Sequence, residues 1–132
     1  MTIAVWCISL LGVLVFGLGF VVSIARGRTR IFHGFDSDPA SRFYKLVRAH
    51  GNATEYIPML AILILYLGST GPSIAVQALM ILAVVSRYLQ AAGVAFASTL
   101  GKVTPVRLLG AMGTYISGLL LCAAAVLTVT GT

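Results

Sequence analysis

The sequence predicts an all-α membrane protein, a single antiparallel bundle of four transmembrane helices, and three observations carry that prediction. The 132 residues are 59% hydrophobic with a mean hydropathy of +1.03, far above the range of soluble domains. The apolar runs are long and unbroken, enough to cross a hydrocarbon core of about 30 Å. They lack the short alternating strands of a closed barrel, the only other structure that satisfies its backbone in lipid. One domain, residues 1–132, accounts for the chain.

The first helix is expected at about residues 3–25. No basic segment precedes it, so it reads as a retained span and not as a cleaved leader. Gly12, Gly17 and Gly19 give it small surfaces that another helix can approach closely. A polar loop over 26–41 follows, with Arg26, Arg28 and Arg30 at its start. Asp38-Pro39 reads as a cap followed by a first-turn proline, so the second helix is placed at about 39–67. At 1.5 Å per residue it would span roughly 43 Å, so its first turns should project from the bilayer. Those turns hold Arg42, Lys45 and Arg48, and the half from Ile57 to Leu67 is almost purely aliphatic. Gly68 to Ser73 forms an uncharged turn, and a third helix is expected at about 72–97. The turn 98–104 carries Lys102, and Thr104-Pro105 repeats the cap-then-proline signal ahead of a fourth helix at about 105–129.

Nine Lys or Arg against three Asp or Glu give a net charge of +6. In a chain this apolar the cations are topology signals, not a nucleic-acid footprint. They gather at loops 26–41 and 98–104, while the termini and the middle turn have none. The expected orientation therefore puts both termini outside and those two loops in the cytosol. Cys7 and Cys122 fall inside apolar runs, without the spacing of a redox pair or a metal site. No metal is expected.

Glu55 and Arg87 are the charges left at membrane depth. Counted from the middle turn they lie roughly 20 Å and 21 Å down. A lone ion there is costly, so the two are expected to pair or to share a polar site. At about 100° per residue, Arg48, Asn52 and Glu55 fall within about 60° of one another, a polar stripe that Tyr56 flanks. His50 points nearly the opposite way and reads as an interfacial side chain packed against a loop. Pro58 frees the carbonyl of Thr54, and a kink there would open space beside Glu55. Arg26 or Arg28, Arg48, Lys102 and Arg107 would complete a basic bowl for a small anionic ligand. Arg107 also stands near a helix N-terminus, which favours an anion.

Arg48-Ala-His-Gly-Asn52-x-x-Glu55-Tyr56-x-Pro58 at the start of a second membrane helix resembles the MAPEG family, the membrane-associated proteins of eicosanoid and glutathione metabolism. The Gly34-x-Asp36-x-Asp38-Pro39 loop and the Arg87-Tyr88 pair resemble its bacterial members. The resemblance covers essentially the whole chain and implies a homotrimer, in a bacterial inner membrane with periplasmic termini, holding glutathione between neighbouring subunits. On the matching positions Asn52 and Glu55 would hold the glutathione peptide, with Arg87 in the same polar site. Tyr56 and Tyr88 would add hydrogen bonds. Arg48, with Arg26 ahead of Arg28, would hold carboxylates. A cation near a thiol favours the nucleophilic thiolate, and Arg107, ahead of Lys102, is the candidate for that role beside Arg26. The implied activity is glutathione transfer to, or reduction of, a lipophilic small molecule arriving from the membrane lipids.

Ala92 stands where several enzyme members carry a second tyrosine, and Leu108 and Ala111 line a region where some members are more polar. A non-catalytic lipid- or glutathione-binding scaffold of the same family is therefore the alternative. A small multidrug transporter is a third reading, but such proteins rely on an acid in the first helix and none is present.

Overall fold

The computed structural model describes residues 1–34 and 36–131; Phe35 of the first loop and Thr132 lie outside the described residues. Four helices follow in order, α1 Thr2–Thr29, α2 Arg42–Ser69, α3 Ile74–Ala95 and α4 Pro105–Thr130. α1, α3 and α4 are long and apolar enough to cross a membrane. α2 equals α1 in length, but its first half carries Arg42, Lys45, Arg48, Asn52 and Glu55.

The helix ends show where local chemistry departs from the expected boundaries. α1 runs one turn further and stops where Arg30 adopts a left-handed conformation, φ 57°. Arg26 and Arg28 therefore belong to its last turn, where cations complement the helix dipole. Asp38-Pro39 does not start α2. The Asp38 carboxylate accepts from Ala40 N at 2.9 Å, and its carbonyl accepts from Ser41 N at 3.0 Å. Asp at the first and Pro at the second position of a β-turn are favoured for this reason. The turn delays the helix until Ser41, whose hydroxyl accepts from Tyr44 N. The Pro39 carbonyl accepts from Leu100 N at 3.0 Å, tying the first loop to the third. Ser73 and Thr104 cap α3 and α4 in the same manner, with Pro105 at the first turn of α4.

α3 and α4 make the closest pair, followed by α1 and α2, with α2 against α3 joining the two hairpins. α1 and α4 do not pack on each other among the described residues. The bundle is thus open along one side, and α2 and α3 occupy its middle. Leu11, Ile64, Met80 and Leu121, one from each helix, are fully buried. Their burial is not driven by water, since lipid tails are as apolar as leucine; close packing and polar contacts hold the helices.

Glycines set that packing between α3 and α4. A Cβ at Gly93 would sit 2.8 Å from Arg107 N, one at Gly110 would collide with the Gln90 backbone, and one at Gly113 with the Ser86 hydroxyl. Only a hydrogen atom fits against the facing backbone at Gly93 and Gly110, whereas at Gly113 the Ser86 side chain would have to turn aside.

Candidate functional site

Arg87 is the centre of the polar interior. It projects from the middle of α3 and is 1% exposed. Nη2 donates to Asn52 Oδ1 at 2.8 Å and to the Asn52 carbonyl at 3.1 Å, and Nη1 donates to Thr114 Oγ1 at 3.4 Å. The guanidinium also lies 5.1 Å from the centre of the Tyr56 ring, a cation–π arrangement strengthened by desolvation. One side chain therefore ties α2, α3 and α4 together. The Thr114 hydroxyl donates to Gly110 O at 2.8 Å, which leaves its lone pairs free for Arg87. The close approach at Gly110 and Gly113 is what brings Thr114 within reach.

The expected pairing of Glu55 with Arg87 does not occur. Asn52 fills that role, and Glu55 is exposed with no ion-pair partner among the described residues. Glu55 lies three residues on, roughly 60° around the helix from Asn52 and nearly a full turn further along it. That offset carries its carboxylate out of the α2–α3 contact and into a groove between α2 and α4. The groove encloses about 300 Å³ and is lined by Glu55, Tyr56, Met59, Leu63, Tyr115 and Cys122 among others. Tyr56 and Tyr115 share a hydrogen bond of 3.2 Å between their hydroxyls, with their rings tilted at 60°. α2 runs unbroken through Pro58.

The structure thus brings Asn52, Tyr56 and Arg87 together and sets Glu55 on the adjoining groove. The other candidates are elsewhere. Tyr88, one residue from Arg87 and about 100° around the helix, donates to the Leu10 carbonyl of α1 at 2.9 Å. Arg26 donates to Ile31 O at 3.1 Å and lies 5.5 Å over the Phe43 ring. Arg107 donates to Leu100 O at 3.3 Å. Arg48 is exposed. His50 turns away from the polar stripe, as its helical phase requires, and rests on Gly19 of α1 rather than on a loop. Thr114 and Tyr115 are not among the residues the sequence pointed to. Their only signal is a polar pair directly after Gly110-x-x-Gly113, in the stretch between Arg107 and Ser117 that is otherwise apolar.

Arg87 Nε and Gln90 Oε1 are buried without a hydrogen-bond partner among the described residues. No group of three or more His, Cys, Asp or Glu that could hold a metal occurs among the described residues.

Four helices, three of them apolar enough to span a bilayer, around an arginine sealed in a polar interior define a helical integral membrane protein. A family model identifies which one: the MAPEG family model matches residues 3–127, and the chain belongs to that family. No curated protein matches it.

Proposed function

We propose that the protein is a glutathione-dependent membrane enzyme, a transferase or peroxidase acting on lipophilic electrophiles through an arginine-stabilised thiolate. The observation that carries this reading is the juncture at Tyr56. One face of its ring stacks on the Arg87–Asn52 centre, and its hydroxyl opens on the apolar α2–α4 groove beside Glu55. A hydrophilic thiol and a membrane-derived electrophile need a place where both environments meet.

Glu55 has no hydrogen bond or ion pair among the described residues and is available for the glutathione ammonium, with Asn52, Tyr56 and Arg87 behind it. Arg26 and Arg107 each use one Nη for a loop carbonyl and keep further N–H donors. In transfer, the sulfur forms a bond to the electrophilic carbon as the leaving group departs with its electron pair. In the peroxidase variant the thiolate attacks the distal hydroperoxide oxygen. An alcohol leaves after taking a proton, and a second glutathione converts the sulfenic acid to disulfide and water.

The split of site residues over two faces supports a site shared between copies, and a homotrimer is the assembly the family resemblance implies. Glu55 and Tyr56 line the α2–α4 side, whereas Tyr88 faces α1. A ligand that touches both sets needs a second copy. In this reading α2 is the fourth span, loops 26–41 and 98–104 face the cytosol, and the membrane is a bacterial inner membrane. The engagement of Arg26 and Arg107 with loop carbonyls favours the second reading, a non-catalytic glutathione- or lipid-binding member.

Titration of the purified protein with glutathione, following thiolate absorbance and heat of binding, tests the proposal. Wild type binds, Glu55→Ala weakens binding at least tenfold, and Arg107→Ala mainly lowers the conjugation rate. Absence of binding by wild type refutes the enzyme and the glutathione-binding scaffold alike. Binding without thiolate or conjugation leaves the scaffold, and unchanged binding by Glu55→Ala removes the site assignment.

A further inference from the structure

Arg28 in the last turn of α1 and Arg42 at the start of α2 stand on one groove, walled by Val21, Ile24, Phe43 and Leu46. It encloses about 380 Å³. Both arginines are exposed, and neither guanidinium has a hydrogen bond, ion pair or ring contact among the described residues. The nearby acids do not answer them. Asp36 Oδ1 accepts from Asp38 N, Asp38 Oδ1 accepts from Ala40 N, and Glu55 lies on the α2–α4 groove. The general preference for cations beside a membrane sets their number. It does not require that two unpaired guanidiniums share the mouth of one apolar groove.

A second groove of about 590 Å³ adjoins the first, sharing Val21, Arg42 and Leu46, and adds Lys45. Lys45 Nζ donates to Ala97 O at 2.8 Å and keeps two donors. From there the groove follows α1 past Leu18 to Leu14. Leu14 to Ile24 spans roughly 15 Å along the helix, the depth of one leaflet of a hydrocarbon core of about 30 Å.

We propose that this continuous cleft is a specific site for one anionic phospholipid. Arg28 and Arg42 hold its phosphate, Lys45 supports the headgroup, and an acyl chain lies along Val21, Leu18 and Leu14. Guanidinium matches phosphate through paired N–H donors, and basic pockets between membrane helices select acidic headgroups. The cleft shares no residue with the Glu55 groove; its inner part is also lined by Tyr88, the one residue it has in common with the proposed glutathione site, and lipid retention measured without glutathione does not depend on the proposed enzyme activity.

Native mass spectrometry of the full chain, delipidated and re-equilibrated with phosphatidylglycerol or phosphatidylcholine in mixed micelles, tests this. Wild type retains one phosphatidylglycerol per chain and little phosphatidylcholine. Arg28→Gln/Arg42→Gln lowers phosphatidylglycerol affinity roughly 30-fold, about fivefold per cation. Arg30→Gln, a neighbouring unpaired cation outside the cleft, leaves it unchanged. Leu46→Trp fills the groove without altering charge and also lowers retention. Equal retention of the two lipids, or phosphatidylglycerol retention undiminished in the double variant or in Leu46→Trp, overturns the proposal. So does displacement of the lipid by glycerol phosphate, which would make this a soluble-anion site. Lipid held by monomers but excluded from oligomers would assign the cleft to a second copy and overturn it equally.

Discussion

Arg87 keeps its position at membrane depth with neutral hydrogen-bond and ring partners among the described residues. An asparagine amide and carbonyl, a threonine hydroxyl and an aromatic face stand in for a carboxylate. Charge-assisted hydrogen bonds of this kind contribute about 1.5–3 kcal/mol each, and removing one partner leaves a buried donor unsatisfied. Asn52→Leu should therefore destabilise the protein by about 2–3 kcal/mol, read from reversible unfolding in mixed micelles; an unchanged midpoint would show that Arg87 is held by other means. Tyr115→Phe removes only the hydroxyl contact to Tyr56. Its cost should stay at about 0.5–1.5 kcal/mol, measured the same way. The helical phase of Asn52 and Glu55 was readable from the sequence, and so was the cost of burying Arg87. Which of the two would meet the arginine was not, because that depends on the rotation of α2 against α3, a tertiary quantity.

At the level of elements, the α3–α4 contact is set by glycines; on α1, Gly19 lies against His50 and Ala4 against Gly68 of α2, whereas Gly12 and Gly17 meet nothing. Gly110→Ala forces a methyl group onto the Gln90 backbone and should cost about 1–3 kcal/mol through overpacking. It should also release Thr114 from Arg87. Gly17→Ala meets nothing within 4 Å and should be neutral, or stabilising by up to about 1 kcal/mol from helix propensity. A thermal melt of both variants separates the cases; equal gains would mean that the glycines act through propensity alone.

The loop before α2 supplies a pH-dependent element. Its hydrogen bond from Asp38 N, chiefly, holds the Asp36 carboxyl below the ordinary carboxylate range. A depressed folded pKa contributes stability above the unfolded value and loses it as pH falls through the folded value. Amide exchange at Asp38 should accordingly rise, relative to unstructured amides, only below the normal carboxylate range. Asp36→Asn should remove that dependence.

Element number and order were legible in the apolar runs, and Thr104-Pro105 marked the start of α4. Asp38-Pro39 misled because the same dipeptide opens a β-turn as readily as a helix, and Ser41 offered a competing cap three residues on.

The whole molecule presents an open side between α1 and α4 and a large apolar exterior, with Phe16 80% and Leu119 72% exposed. Lipid can cover these surfaces, as can neighbouring copies. If the proposed trimer forms, light scattering corrected for detergent should give three times the chain mass of 13.8 kDa; a monomer at concentrations where glutathione binds would remove the between-subunit site. The arginine inside α3 also bears on how the protein is made. α3 has a mean hydropathy of 1.6, below α1 at 2.6 and α4 at 1.9, and a central arginine adds about 2.5–3.5 kcal/mol to insertion of an isolated helix. Its relief comes from Asn52 on the helix synthesised before it and Thr114 on the one synthesised after. α3 should therefore settle in the bilayer as one arm of a hairpin with α2, its arginine already bonded to Asn52. Final locking then waits for α4 to emerge from the ribosome and deliver Thr114.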